Sequence, residues 1–391
     1  MTYPTISLFL KHVLDININL PIQTFGFFVA TAFITASYIL SKELKRKEEE
    51  GHIEKIKKQI FIGKPLSTIQ IVSYCFFTYI VSFKIWGIIL EYDVFMQNPQ
   101  SYIASIQGNT LFGIITTFIL FYKRYSKNQK KLLKKPKLTT LEVHAFELVG
   151  NITTIAAVSG IIGAKLFHSL QYFDEFKADP VGQLLSFSGL TFYGGFIFAA
   201  ISVLWYIKKN NIKTKIFIDA IAPALMIAYG IGRMGCQFSG DGDWGIVNTK
   251  IKPEWLPIPE WMWSYNFPHN VIKRGELIPG CNPVEWDGYC YQLTEGVFPT
   301  ALYEVIISFL MFLVIWRIRK IFKPGVLFCI YLVFNGIERF SIEIIRVTEK
   351  YSVIGLNLTQ AQMIAIMMII IGIFGIIKLN QNNQRKKLKI T

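Results

Sequence analysis

Charge is scarce in this sequence. Asp, Glu, Lys and Arg together make up 17% of its 391 residues, against about a quarter in an average soluble domain. Apolar residues reach 52%, with 32 phenylalanines, and the mean hydropathy is positive. A soluble globular domain is excluded, and a polytopic membrane protein is expected. The opening MTYPTISLFLKHVLDININL has no basic region and contains Asp15. It is not read as a cleaved signal peptide, so the first span is expected to stay in the protein. No internal repeat is visible, which argues against an inverted-repeat transporter. Cysteine is also sparse: Cys75, Cys236 and Cys329 lie in or at the edge of apolar runs, where the residue acts as a small hydrophobe.

What is present in quantity is the apolar run of about 20 residues that a bilayer crossing needs. Such runs lie near 20–40, 66–90, 108–122, 146–170, 188–207, 216–236, 299–316, 325–345 and 358–378. The expected fold class is therefore an all-α bundle of about nine spans. The net charge of +15 does not indicate nucleic acid, because the basic residues fall in short blocks between the runs. KELKRKEEE with KIKK, then KRYSKNQKKLLKKPK, KKNNIKTK, RIRK and RKKLK follow spans one, three, five, seven and nine. The alternate loops, with EYD, DEF and the long 239–298 segment, are acidic or mixed. The positive-inside rule then puts the N-terminus outside, the C-terminus in the cytoplasm, and residues 239–298 outside as a head rich in Trp and Pro.

Among the motifs, GDGDWG at 240–245 matches GxGxxG in form only, since it follows a membrane span and no βαβ unit surrounds it. Asp241 and Asp243 do not make a calcium loop, because Lys252 stands where the bidentate glutamate belongs. Arg233 ends span six, where it could snorkel to the interface. In NGIERFSIEIIR, Arg339, Glu343 and Arg346 are spaced by four and three residues and share one helix face. Arg339 lies well inside the apolar run, so it should face the bundle interior or a wet cavity. Arg233 and Arg339 can then converge at the outer side, and paired guanidinium groups suit a phosphate, most abundantly that of a lipid headgroup. FPTALYE brings Tyr303 and Glu304 into span seven, and FYGGF sets Tyr193 against Gly194 and Gly195, where a close backbone approach or a broken helix is expected. Cys281 and Cys290 lie in the outer loop, where a disulfide is favoured. Metal binding is the alternative, but no CxxC spacing or paired histidines support it.

Together, GxGRMG with the glycine-rich Asp241–Gly245 stretch, DAIAP at 219–223, YGG at 193–195, PTALYE at 299–304 and ERFSIEIIR at 338–346 resemble the prolipoprotein diacylglyceryl transferases of bacteria. The resemblance covers residues 140–378, and span one more faintly. It implies transfer of a diacylglyceryl group from phosphatidylglycerol to the lipobox cysteine of an exported preprotein, with release of glycerol phosphate and no cofactor or metal. Multi-pass insertion in the bacterial inner membrane, with the site open to the extracytoplasmic leaflet, goes with it. Arg233 and Arg339 are implied as the essential arginines, supported by Glu343 and Arg346. Tyr193 is implied as a catalytic residue, and Gly194, Gly195, Gly240, Asp241, Tyr303 and Glu304 as substrate contacts. The chain departs from the family pattern where Tyr193 and Phe298 replace histidines and Cys236 and Ser239 replace asparagines. Residues 66–122 read as an inserted pair of spans beside a seven-span core. A catalytically idle relative that binds lipid or lipoprotein signal segments is the alternative expectation.

Overall fold

The computed structural model describes residues 2–97, 99–185, 189, 191–348, 350–353 and 356–387. Among the described residues, nine helices run 18 residues or more. They are α1 (Thr24–Glu49), α2 (Thr68–Leu90), α3 (Thr110–Gln129), α4 (Val149–Gln171), α5 (Phe192–Lys209), α6 (Thr214–Ser239), α7 (Thr300–Ile318), α8 (Val326–Glu343) and α9 (Gln360–Lys387). The first residues of the apolar run expected at 188–207 include 188 and 190, which lie outside the described residues. Six segments are long and apolar enough to cross a membrane: Thr24–Glu49, Thr68–Leu90, Ala145–Gln171, Thr214–Ser239, Thr300–Ile318 and Gln360–Gln381. The protein is thus a mostly helical, multi-pass membrane protein. Helix α8 is not among the six, and its 18 residues carry Glu338, Arg339 and Glu343. The fold is not purely helical. Three two-stranded antiparallel ribbons pair Ile56–Ile62 with Lys137–Val143, Glu276–Leu277 with Tyr291–Gln292, and Lys350–Val353 with Leu356–Thr359. Each lies between long helices, where backbone polar groups need partners that a helix does not supply.

The chain divides into two compact units, Met1–Glu54 with Ala145–Thr153 and Ile207–Thr391, and Lys55–His144 with Thr154–Tyr206. In the first, α6 is the central helix and packs against α1, α7 and α8, while α9 lies along α8. Small residues on α6 allow this. Gly230 meets Ser308 of α7, and Gly235 meets Phe28 of α1, each at a distance where a Cβ would sit 3.1 Å from its neighbour. Membrane helices associate through such small-residue contacts, since lipid tails remove the usual hydrophobic drive. At the start of α8, the Asp219 carboxylate accepts from the backbone N–H groups of Gly325 (2.6 Å) and Phe328 (2.9 Å). A side chain from α6 thereby satisfies orphan donors at the N-terminus of α8 and sets where α8 begins.

The head of this unit follows α6. Gly240 ends the helix in the left-handed conformation (φ 63°), where an L side chain would be strained. Trp244, Phe267, Leu293 and Val297 form the apolar core of the head, with Tyr265 packed against them. The fully buried Asn270 donates to the carbonyls of Phe267, Arg274 and Tyr291 and accepts from the Arg274 N–H. A disulfide joins Cys281 to Cys290, with Cα atoms 5.7 Å apart. Between these cysteines, Trp286 is stacked between His269 (3.4 Å) and His12 (4.0 Å) of the short helix Ile6–Leu14.

In the second unit, α2 and α3 form a helical pair in which the Trp86 indole donates to Thr116 (2.8 Å). The Lys84 ammonium donates to the carbonyls of Tyr102 (2.8 Å), Ser105 (2.5 Å) and Gln107 (2.8 Å), so one half-buried cation closes the connecting loop. The same unit holds the α4–α5 crossing. Here Gly163 and Gly194 each abut the other's carbonyl so closely that a side chain at either would clash, and Gly195 packs against Gly160. Helix α5 is continuous through Gly194 and Gly195. Of the two expectations for this pair, the structure shows the close backbone approach and no break.

Candidate anion site

Three helices of the first unit bring their ionisable residues to one point. Helix α6 supplies Tyr229 and Arg233, one turn apart, with the Arg233 guanidinium 5.2 Å from the Tyr229 ring centre. Helix α7 supplies Glu304 from its first turns, and α8 supplies Glu338, Arg339 and Glu343, with Arg346 just beyond its end. The turn after α6 adds Asp243. A backbone bridge between Gly245 and Arg346, with Ile246 N–H donating to Ile345 carbonyl (2.8 Å), holds that turn against the end of α8.

Glu304 is the hub. It is fully buried, and its Oε2 lies 3.1 Å from Arg233 Nε, while its Oε1 lies 3.2 Å from Arg339 Nη1 and 3.8 Å from Arg346 Nη1. Arg233 and Arg346 also pair with the two oxygens of Asp243, and Arg339 pairs with Glu343 at 3.1 Å. Thr348 donates to the other oxygen of Glu343 (2.7 Å). Three guanidinium groups thus meet three carboxylates, which makes the burial tolerable. Exposure is unequal. Glu304 and Glu343 side chains are 0% and 1% exposed, whereas Arg233, Arg339 and Arg346 keep 17%, 24% and 12%. The Asp243 carboxylate, shared by Arg233 and Arg346, keeps 22%, so an arriving anion meets guanidinium edges together with Asp243, with Glu304 and Glu343 behind them.

The arginines expected to converge, Arg233 and Arg339, do so, and Glu304, Glu343 and Arg346 join them. Other expected residues have different surroundings. The Tyr303 hydroxyl donates to the Met262 carbonyl (2.8 Å), tying α7 to the head. Asp241 accepts from the Asp243 N–H (3.2 Å), and burial raises its carboxyl above the ordinary range. Gly240 is the helix cap described above. Cys236 sits with its Sγ 4.0 Å from Arg233 Nη1, and Phe298 packs its ring edgewise on Trp263. Tyr193, Gly194 and Gly195 belong to the second unit. Tyr229 and Glu338 are members that the sequence reading passed over, and Asp243 is one that it placed only in a turn near a site. Tyr229 had a signal, lying four residues before Arg233 on the same face. A cavity of about 540 Å³ in the head, floored by Trp244, Leu293 and Val297, is lined by none of the three arginines. Among the described residues, no group of three or more His, Cys, Asp or Glu is arranged to hold a metal ion.

The family model for prolipoprotein diacylglyceryl transferase matches residues 109–378. The chain belongs to this transferase family. That stretch contains every residue of the cluster. A relative from Leptospira interrogans, named phosphatidylglycerol–prolipoprotein diacylglyceryl transferase, is 29% identical over 244 residues, covering 56% of this chain and 66% of its own length. Proteins of the same name from Clostridium tetani and Clostridium novyi are each 28% identical, over 67% and 70% of this chain and 87% and 90% of theirs.

Proposed function

We propose that this chain transfers the diacylglyceryl group of phosphatidylglycerol to the lipobox cysteine thiol of an exported preprotein. The observation that carries the reading is the Arg233, Arg339 and Arg346 cluster around Glu304, which presents guanidinium edges to an anion. In this reading the lipid phosphodiester lies against those edges. The acceptor sulfur attacks the glyceryl carbon that bears the phosphate. A sulfur–carbon bond forms, the carbon–oxygen bond breaks, and its electron pair goes to the phosphate oxygen of departing glycerol phosphate, which finally takes the thiol's proton. Such a leaving group needs charge stabilisation more than a proton, and fixed arginines in a low-dielectric site supply it. A thiol of pKa about 8.5 is already a few per cent ionised at neutral pH, so a strong base is not obligatory. Tyr193, Gly194, Gly195, Gly240, Asp241 and Tyr303 enter this reading through the resemblance alone. Tyr193→Phe with an unchanged rate would remove the tyrosine from it.

The nine long helices are taken as nine spans, with the N-terminus outside and the C-terminus in the cytoplasm. The alternation of basic and acidic loops supports this. The ends of α6 and α8 that carry Arg233 and Arg346 then lie beside the head, at the outer leaflet of the bacterial inner membrane. The test uses purified protein in phosphatidylglycerol micelles with a lipobox peptide. A peptide heavier by one diacylglyceryl group, with glycerol phosphate released, supports transfer. Binding of lipid or peptide without turnover overturns it in favour of an idle relative.

A further inference from the structure

Tyr229, Glu304 and Glu338 form a hydrogen-bonded chain that the transfer step above does not use. The Tyr229 hydroxyl lies 2.9 Å from Glu304 Oε1 and 3.3 Å from Glu338 Oε1. A phenol has one proton to donate. Glu304 is held by arginines on both oxygens and is the ionised partner, so the phenol proton points to it. The approach of Glu338 to the phenol oxygen then requires Glu338 to be the donor. Its surroundings agree. Glu338 is 3% exposed, joins no ion pair among the described residues, and its Oε2 has no hydrogen-bond partner there. The charged and titratable groups around it are Tyr229 and Arg233 on α6, Glu304 on α7, and Tyr331 and Arg339 on α8. Both arginines are already engaged by Glu304, Asp243 and Glu343. An ionised carboxylate in that place would be desolvated without compensation, whereas a neutral acid leaves only a carbonyl oxygen unsatisfied.

We propose that Glu338 is a positioning residue. Its protonated carboxyl donates to Tyr229, directs the phenol proton onto Glu304, and so keeps Glu304 where it spaces Arg233 and Arg339 for a phosphate. The effect on rate rests on the transferase reading, but the proton on Glu338 does not. Infrared difference spectra of the full chain in lipid nanodiscs, without substrate, read the proton directly. The expected result is a protonated-carboxyl carbonyl band in the wild type that is lost in Glu338→Gln. In the transfer assay, Glu338→Ala should be slower by about tenfold to hundredfold, the scale of a hydrogen bond to a charged network. Glu338→Gln should recover most of that loss, because its amide N–H donates to the phenol as the acid does. A band that survives Glu338→Gln overturns the proposal. So does a Gln variant as slow as the Ala variant, which would mean that a carboxylate is required, or an Ala variant as fast as wild type. If Glu338→Ala does not fold, the Gln variant and its spectrum still decide. A wild type with no transfer at all would sink the transferase reading and leave the spectrum to settle the proton.

Discussion

Glu304 lies within 4 Å of the guanidinium nitrogens of three arginines, so its replacement by glutamine changes more than one contact. Glu304→Gln keeps the volume but removes the shared negative charge, leaving partly buried arginines with an excess of positive charge. The expected cost is about 3 kcal/mol of stability, read as a fall in melting temperature in detergent. A variant that melts with the wild type would show that Asp243 and Glu343 suffice. At this scale the sequence was legible where partners share a helix. Arg339 and Glu343 stand out because a spacing of four places them on one face, whereas Arg346, expected on the same face, lies just past the end of α8 and pairs with Asp243 and Glu304. Asp243 and Glu338 do not stand out, because Asp243 lies in a turn with no helical spacing to Arg233, and Tyr229, the partner of Glu338, comes from a helix far along the chain. Tyr303 and Glu304 are neighbours that point apart on a helix, and only Glu304 enters the cluster.

Among the elements, α8 carries four of the cluster's ionisable residues on itself or just past its end, and its start is set by Asp219 of α6. Asp219→Ala strips two backbone donors of their acceptor. It should cost about 2 kcal/mol and slow transfer without touching the arginines, while Asp219→Asn, which keeps one acceptor oxygen, should lose less. Equal melting temperatures for the Ala variant and wild type would contradict the capping role. Helix positions were largely legible, since the apolar runs coincide with the long helices, but their ends were less so. Helix α1 was expected to end near 40 and continues to Glu49. Its last turns are held by pairs such as Arg46 with Glu43 and Glu50, and Arg319 of the chain segment after α7 joins Glu43 at 2.8 Å. Hydropathy marks what lipid must cover, whereas a helix continues as long as charged side chains find partners. The short β-ribbons left no clear mark either, being set by partners distant in sequence.

At the scale of the whole molecule, the first unit anchors its N-terminal helix to the head through the His12–Trp286–His269 stack. Burial lowers the pKa of His269, while its Nδ1 lies 2.8 Å from the Tyr289 carbonyl. With the folded value below the unfolded one of about 6.5, the unfolded chain binds more protons in that window, so stability is full above about 6.5 and falls as the pH drops below it. Thermal melts should show this loss on acidification, and His269→Phe should blunt it; an unchanged profile in the variant would exclude His269 as its source. The central claim is that Arg233, Arg339 and Arg346 hold the phosphate whose ester bond is cut. The most direct measurement is the steady-state rate of peptide diacylglyceryl transfer by Arg233→Ala beside wild type in the same phosphatidylglycerol micelles, with both proteins shown to be folded. The account predicts a loss of about 10²- to 10³-fold, as when a fixed donor to a developing anion is removed; a folded variant within about threefold of wild type, less than one kcal/mol of barrier, would contradict it.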